Sequence, residues 1–200
     1  MFLAVNGAAA GFIAVADRIK ATTPDALKAL QHQGLSVIMA TGDNERTAKA
    51  VAEQLGIKDF RANVMPEDKH ALVQSLKAQG KRVVMVGDGV NDAPALAGSD
   101  VGVAMSTGSG VAVESAGITL LNGDLSGLVR ARKLARATVW NIRQNLFFAF
   151  VYNGLGIPVA AGVLYPLLGI LLAPMLAAVA MSFSSLCIIL NALRLGRLRL

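Results

Sequence analysis

Residues 82–94 read Arg-Val-Val-Met-Val-Gly-Asp-Gly-Val-Asn-Asp-Ala-Pro, and this stretch decides the class of fold. It begins with a short apolar, β-branched run, which predicts a buried strand. The carboxylates of Asp88 and Asp92 then alternate with two glycines and the amide of Asn91. A strand followed at once by acidic residues and glycines is typical of a site at the carboxyl end of a parallel sheet.

The surrounding sequence supports a parallel sheet. Short apolar runs alternate with helical stretches that end in glycine, such as those closed by Gly34, Gly56 and Gly80. The predicted strands span residues 12–16, 36–40, 82–86, 101–105 and 118–121, and the predicted helices about 24–33, 45–55 and 66–79. Residues 1–127 are therefore predicted to form an α/β domain, with helices on both faces of a parallel sheet.

The cluster at residues 87–94 is predicted to bind Mg²⁺. This ion prefers one or two carboxylates together with phosphate and water oxygens. Asp88 and Asp92 supply the carboxylates and Asn91 supplies an amide oxygen. A capped turn alone would not require both acidic residues beside flexible glycines, so we interpret the cluster as functional.

Two further positions suit a phosphate group. Thr41-Gly42-Asp43 follows the predicted strand 36–40, and a hydroxyl with a glycine N–H at a strand end can hold phosphate oxygens. Lys69 lies in the first turn of the helix that begins at Pro66, where a point cation suits phosphate. The alternatives are an ordinary turn before a helix capped by Asn44 and a solvated surface lysine.

Charge divides the chain into two parts. Of 200 residues, 54% are hydrophobic and 16% are charged, and the net charge is +6. Residues 1–127 hold 11 basic and all 13 acidic side chains, whereas residues 128–200 hold 8 basic side chains and no acidic one. This distribution excludes a uniformly basic nucleic-acid binder. A single cysteine, Cys187, excludes an internal disulfide framework.

The second part predicts a membrane hairpin. Residues 144–193 are 50 consecutive residues without a charged side chain or histidine, which is enough for two bilayer spans of about 20 residues each. The break at Tyr165-Pro166 predicts spans over about 144–164 and 167–193, after a basic linker helix at 128–143. Because basic residues flank only the outer ends, both ends and the tail 194–200 are expected to face the cytoplasm. A pair of buried helices in a soluble protein is the alternative.

Polar residues inside the predicted spans raise a functional hypothesis. Tyr152 and Asn153 precede Gly154, Gly156 and Pro158, which are expected to interrupt the first span. Met181 and Ser185 are four residues apart, hence on one face of the second. Close helix packing by small residues is the alternative, and Cys187 is interpreted as a packing residue.

These motifs resemble the later signatures of the haloacid dehalogenase fold. They are Gly-Asp-Gly-Val-Asn-Asp-Ala-Pro at 87–94, Thr-Gly-Asp at 41–43 and Pro-x-x-Lys at 66–69. Residues 16–20, Ala-Asp-Arg-Ile-Lys, are similar to the Asp-x-x-Lys at the start of that domain in P-type ATPases. With the hairpin, the chain resembles the C-terminal end of a P-type ATPase of the heavy-metal, copper(I)-exporting branch. Tyr152-Asn153, Met181 with Ser185, and Asn-Ala-Leu-Arg-Leu at 191–195 carry that last resemblance.

The resemblance implies an ATP-driven Cu(I) or Ag(I) exporter, multi-pass in the cell membrane, that works through an aspartyl phosphate. Asp88 would hold Mg²⁺, with Asp92 and Asn91 completing the network of metal and phosphate. Thr41, Gly42 and Asp43 would contact the phosphoryl group, and Lys69 would neutralise its charge. Tyr152, Asn153, Met181 and Ser185 would line the metal path, since thioether sulfur suits Cu(I).

The sequence also departs from the family pattern. It contains neither the phosphorylated Asp-Lys-Thr-Gly-Thr motif nor the Cys-Pro-Cys motif, which in the family lie upstream of this segment. We therefore expect a partial phosphorylation domain and two of the membrane helices, inactive without the N-terminal part of the pump. The alternatives are a membrane-tethered phosphatase of the same fold and a non-catalytic metal-binding fragment.

Overall fold

A computed structural model of the chain describes residues 2–12, 18–106, 108–163, 165–169 and 174–197. The chain forms two compact units, Met1–Val129 and Arg130–Leu200. The strands of the first unit are β1 Phe2–Val5, β2 Ala8–Phe12, β3 Ile38–Ala40, β4 Asp59–Arg61, β5 Val84–Gly87, β6 Val101–Met105 and β7 Ile118–Leu120. Its helices are α1 Thr23–His32, α2 Glu45–Leu55, α3 Pro66–Ala78, α4 Ala93–Gly98 and α5 Gly110–Glu114.

The α/β prediction is confirmed, with a different arrangement of strands. The described strands form a parallel pair β3-β4, a parallel sheet of order β5-β6-β7 and an antiparallel hairpin β1-β2. Among these residues the predicted parallel sheet is therefore present as two separate pieces. The predicted strand 12–16 lies outside the described residues except for Phe12, the last residue of β2.

Local signals explain the helix ends. Asn44 caps α2, since its side chain accepts a hydrogen bond of 3.0 Å from the Thr47 N–H. Gly56 ends the same helix in the left-handed conformation, with φ +68°, which glycine adopts without strain. Helix α3 begins with Pro66 after Met65, whose N–H donates to the Asp68 carboxylate at 2.9 Å.

Small apolar residues form the core that supports the candidate site. Ala95, Leu96, Val103, Ala104 and Ala112 have relative exposures of 0–1%. They come from α4 and β6, which pack against β5, and from α5, which packs against β6. Protein interiors are close-packed and deform little. These buried residues therefore hold the loop after β5 in position.

The second unit consists of α6, α7 and α8, although α6 begins within the first unit. These helices span Ser126–Ala160, Tyr165–Leu168 and Pro174–Leu195. The basic linker 128–143 and residues 144–160 of the predicted first span therefore belong to one continuous helix of 35 residues. Within the described residues, no helix has both the length and the apolar content that a membrane crossing requires.

The predicted interruption of the first span is wrong. Helix α6 continues through Gly154, Gly156 and Pro158 to Ala160. Each glycine costs a helix only about 1 kcal/mol relative to alanine, and Pro158 lies in the last turn. The second helix begins at Pro174 rather than at residue 167, and residues 170–173 lie outside the described part of the chain.

Candidate phosphate and metal site

The candidate site is centred on the carboxylate of Asp92, which lies in the turn after β5. Its Oδ1 atom is 2.7 Å from the Lys69 Nζ atom. Its Oδ2 atom accepts longer hydrogen bonds from the N–H groups of Asp88 and Gly89, at 3.3 and 3.4 Å. The Asp92 side chain is 10% exposed and that of Lys69 17%. The structure thus brings Lys69 into contact with the 87–94 cluster. The roles of these residues in binding phosphate and metal stay predictions.

The Asp92 carboxylate reaches its position by packing directly against the backbone of Gly87. Strand β5 ends at Gly87, and a 3₁₀ turn at Val90–Asp92 leads into α4. A Cβ atom on Gly87 would lie 2.6 Å from the Asp92 Cβ and 2.7 Å from its Oδ2. Since real Cβ contacts are longer, only glycine at position 87 leaves room for this carboxylate.

A second loop holds the backbone of Asp88. The Ser109 N–H donates to the Asp88 carbonyl oxygen at 2.8 Å. A Cβ atom on Gly108 would overlap that same carbonyl group, so the loop before α5 packs directly against the turn after β5. These contacts position the backbone at Asp88 and leave its side chain exposed.

The exposed Asp88 carboxylate fits Mg²⁺. Within the described residues, no hydrogen bond or ion pair engages this carboxylate, and the Asn91 side chain next to it is also exposed. No group of three or more His, Cys, Asp or Glu side chains is clustered in that part of the chain. A single carboxylate is sufficient for Mg²⁺, which binds few protein ligands and completes its coordination shell with phosphate and water oxygens.

Helix α3 is anchored to α4 by contacts that sequence reasoning missed. His70 Nδ1 donates to the Pro94 carbonyl at 2.9 Å, and Lys77 Nζ donates to the Gly98 carbonyl at 2.8 Å. Asp100 lies 3.9 Å from Lys77 and accepts a 2.8 Å bond from the Val83 N–H. No sequence motif marks these contacts, but they hold the helix that carries Lys69 against the turn that carries Asp92.

The Thr41-Gly42-Asp43 turn lies at the carboxyl end of β3. The Thr41 hydroxyl donates to the Asp43 carboxylate at 2.9 Å and accepts from the Asp43 N–H at 3.1 Å. The backbone of Thr41 pairs with Arg61 and Val64 on either side of the end of β4, at 3.0 and 2.9 Å. Gly42 is exposed, and a Cβ there would meet only the Val64 carbonyl, at 3.6 Å. In the described residues, no hydrogen bond or ion pair joins this turn to Asp88–Asp92.

Residues near the two ends of the first unit meet at Asp124. Its carboxylate accepts hydrogen bonds from the Ser126 N–H at 2.8 Å and the Thr22 hydroxyl at 3.0 Å, and Lys20 donates to the neighbouring Gly123 carbonyl. The Ser126 N–H in particular, and also Thr22 and the charge of Lys20, hold the pKa of Asp124 below its ordinary value. Asp17, the other residue of the Asp-x-x-Lys motif, lies outside the described residues.

The predicted metal-path residues lie on two different helices of the second unit. Tyr152 and Asn153 lie on α6, and Met181 and Ser185 lie on α8. The Tyr152 hydroxyl is 3.8 Å from the Cys187 sulfur, a neighbour that the sequence did not indicate. The side chain of Met181 lies outside the described part of the chain. The ligand roles of these four residues stay predictions.

A network of asparagines joins α6 to α8 and was also missed. Asn141 donates to the Asn191 carbonyl at 2.7 Å, and Asn191 donates to the Asn145 side chain at 2.8 Å. Asn145 in turn donates to Asn141 at 3.2 Å, and Arg194 donates to Gln144 at 3.1 Å. Asn141 is 7% exposed, so this face of α6 is covered by α8.

Comparison with known proteins shows what this chain is similar to. A model of haloacid dehalogenase-like hydrolases matches residues 2–100. A copper-transporting P-type ATPase from Rhizobium leguminosarum bv. viciae is 66% identical over 195 residues, which are 98% of this chain and 23% of that protein. A silver exporting P-type ATPase from Salmonella typhimurium is 60% identical over 200 residues, all of this chain and 24% of that protein. The chain thus matches one segment of these P-type ATPases over nearly its whole length.

Solved structures show the same similarity. The crystal structure of a zinc-transporting PIB-type ATPase in the E2.Pi state matches 95% of this chain and 30% of its own, with a TM-score of 0.80 and 39% identity. The catalytic domain CopB-B of a CPx-ATPase matches 63% of this chain, with a TM-score of 0.56 and 36% identity. The chain spans about a quarter of the length of the curated P-type ATPases that it matches.

Proposed function

We propose that this chain supplies the phosphate- and metal-binding end of the phosphorylation domain, and two membrane helices, of an ATP-driven Cu(I) or Ag(I) export pump. The observation that carries the proposal is the ion pair of 2.7 Å between Lys69 and Asp92, beside the exposed Asp88 carboxylate. The proposal is supported because a cation and an exposed carboxylate lie beside the same turn after β5. The similarity to a copper-transporting and a silver-exporting ATPase indicates the transported ion.

In this proposal Asp88 holds Mg²⁺, with Asn91 and Asp92 beside it. Bound Mg²⁺ neutralises charge on a transferring phosphoryl group. Lys69 brings a fixed positive charge to the same corner, and Asp92 orients that ammonium group. Both oxygens of Asp92 are already engaged, so its role as a direct metal ligand requires one of those hydrogen bonds to open.

The turn at residues 41–43 binds phosphoryl oxygens in this account. Gly42 offers an exposed N–H with no side chain to obstruct an anion. The Thr41 hydroxyl is oriented by Asp43 and can donate instead to a phosphoryl oxygen. No Asp-Lys-Thr-Gly-Thr motif occurs in the sequence, so phosphorylation from ATP is proposed only within a longer pump.

The second unit is proposed to lie in the cell membrane, with residues 144–193 as two spans and with 128–143 and 194–200 on the cytoplasmic side. Residues 144–193 carry no charge, and large apolar side chains of α6 such as Phe147 and Phe150 are 63% and 69% exposed. Side chains of this kind stay exposed at little cost only in lipid or against a partner. The solved zinc-transporting ATPase, which matches 95% of the chain, supports the same placement.

Tyr152, Asn153, Met181 and Ser185 are proposed to contribute ligands along the metal path. Thioether sulfur binds soft Cu(I) or Ag(I) in preference to hard cations. The residues 144–193 lack the carboxylates that a harder divalent cation would favour.

A chimera tests the proposal. The matching segment of the Rhizobium leguminosarum pump is replaced by this chain, and copper resistance is measured in a copper-sensitive bacterial strain. We expect the chimera to restore resistance, and Met181→Ala to remove most of it while Met175→Ala, on the same helix, retains it. A chimera that is produced in the membrane yet gives no resistance, or full resistance with Met181→Ala, would contradict the proposal.

A further inference from the structure

One face of α6 combines arginine side chains with a tryptophan. Its residues recur at intervals of three and four, so they lie on one side of the helix. They line a shallow cleft of roughly 390 Å³, and we call them the basic face: Arg132, Ala135, Arg136, Val139, Trp140 and Arg143. Trp140 is 59% exposed and is the only tryptophan of the chain.

The basic face points away from α8. Asn141, which contacts α8 through Asn191, lies about 180° around the helix from Arg132 at about 100° per residue. Within the described residues, no hydrogen bond or ion pair engages Arg136 or Arg143. Residues 128–200 contain no acidic side chain that could neutralise Arg136 or Arg143. These two arginines are therefore available to an anionic ligand from outside the unit.

The position of the face along the chain identifies the ligand. Arg143 is the last charged residue before the 50 uncharged residues proposed to enter the membrane. Arg136 lies about 10 Å from it along the helix axis at about 1.5 Å per residue. The headgroup layer on each side of a bilayer is about 5–8 Å thick, and arginine side chains reach several ångströms along a helix. Tryptophan is also enriched at this depth, because its ring is apolar and its N–H is polar.

We propose that the basic face of α6 binds the phosphate headgroups of anionic phospholipids at the cytoplasmic surface, with Arg136 and Arg143 on either side of Trp140. Planar guanidinium groups match phosphate through paired N–H donors. This inference rests on the proposed membrane location of residues 144–193. The inference adds a preference for anionic lipid headgroups, and this contact fixes the depth of α6 in the bilayer.

Trp140 reports the interaction directly. The chain is reconstituted into vesicles that contain, at equal mole fractions, either brominated phosphatidylglycerol or brominated phosphatidylcholine, and quenching of Trp140 fluorescence is measured. We expect an association constant about five-fold higher for the anionic lipid at low salt. The preference should decline as sodium chloride is raised, because exposed charges are screened.

Paired variants separate this face from general charge. Arg136→Gln with Arg143→Gln should bring the preference to near unity, with unchanged helical circular dichroism. Arg130→Gln is the control, since this exposed arginine lies about 120–160° around α6 from the three arginines of the face. An equal loss of preference with Arg130→Gln would contradict the proposal.

The remaining outcomes distinguish failure of the headgroup proposal from failure of the proposed membrane location. Equal quenching by both lipids in the unaltered chain would overturn the headgroup proposal while leaving the membrane location intact. Absence of quenching by either lipid would contradict the membrane location itself. Tight binding of a labelled oligonucleotide that displaces the anionic lipid and requires Arg136 and Arg143 would assign the face to nucleic acid and overturn the proposal.

Discussion

Lys69 and Asp92 form an ion pair of 2.7 Å between the first turn of α3 and the turn after β5. Their side chains are only 17% and 10% exposed, and they are 23 residues apart in sequence. A pair this enclosed is costly to separate, because each charge has lost most of its water. The ion pair holds the Lys69 ammonium group against the turn that also carries the exposed Asp88 carboxylate.

Removing the cation alone should destabilise the first unit. Lys69→Met leaves the Asp92 carboxylate enclosed without its counter-charge, and we expect a loss of about 2–4 kcal/mol in the free energy of unfolding. Lys49→Met, an exposed lysine on α2, is the control and should change this quantity little. Pulse proteolysis of the whole chain in urea measures it.

A second substitution at the same pair tests the cause. With Asp92→Asn present, Lys69→Met should cost clearly less than in the unaltered chain, because no enclosed charge remains to be left unpaired. Equal costs in both backgrounds would show that the ion pair does not stabilise the unit.

Gly87 should tolerate no side chain. Gly87→Ala places a methyl group within 2.6–2.8 Å of three Asp92 atoms, and overpacking of this kind costs about 1–3 kcal/mol. Gly89→Ala, two residues on, is the matched control, because its Cβ would have no neighbour closer than 3.8 Å. Similar urea midpoints for the two variants would contradict the close approach seen at Gly87.

Acid should weaken the contact at Asp124. The hydrogen bond from the Ser126 N–H lowers the pKa of this carboxyl in the folded chain, so the ionised form is bound more favourably there than in the unfolded chain. The stabilisation is complete above the unfolded pKa of about 3.9 and is lost as the pH falls through the lower folded pKa. The melting temperature of Asp124→Asn should therefore lie below that of the unaltered chain at pH 6. The two melting temperatures should converge at low pH.

Asp25→Asn serves as the control for this pH dependence, since Asp25 is exposed in the first turn of α1. A constant difference in melting temperature between Asp124→Asn and the unaltered chain across the acidic range would show that ionisation of Asp124 is not involved.

The asparagine network should contribute to the pairing of α6 and α8. Asn191→Ala removes the 2.8 Å bond to Asn145, and we expect a loss of about 0.5–2 kcal/mol, the range measured for such bonds between helices in membranes. Trp140 fluorescence during denaturant unfolding in detergent micelles reports this loss. Asn153→Ala removes an exposed amide of α6 and should leave the midpoint unchanged. Equal midpoints for both variants and the unaltered chain would contradict the role of the network.

The sequence predicted best those elements whose first and last residues are marked by capping or helix-ending residues. Helix α2 was predicted with its observed bounds, because Asn44 and Gly56 mark its ends, and β6 was predicted at 101–105 as observed. The hairpin β1-β2 was missed although Asn6-Gly7, both with positive φ, is a recognised hairpin turn. That pair of residues was the signal that could have revealed it.

The site was predictable in its residues and not in its contacts. Lys69 and Asp92 each follow from a local motif, but their pairing depends on how α3 packs against α4 through His70 and Lys77. Asn141 and Asn191 are 50 residues apart, so periodicity within either helix carries no information about their contact. Such long-range contacts are set by packing, which a single sequence does not record.

We propose that Asp88, beside the pair formed by Lys69 and Asp92, serves phosphoryl transfer. The most direct test of this proposal is phosphorylation of the Rhizobium chimera by radiolabelled ATP with Mg²⁺, in membranes containing equal amounts of each variant. We expect Asp88→Asn to reduce the acid-stable phosphoprotein about 100-fold or more, since such groups contribute several kcal/mol to charge stabilisation. Glu67→Gln, an exposed acid in the first turn of α3, should retain normal phosphorylation. Undiminished phosphoprotein in the Asp88→Asn chimera would contradict the account.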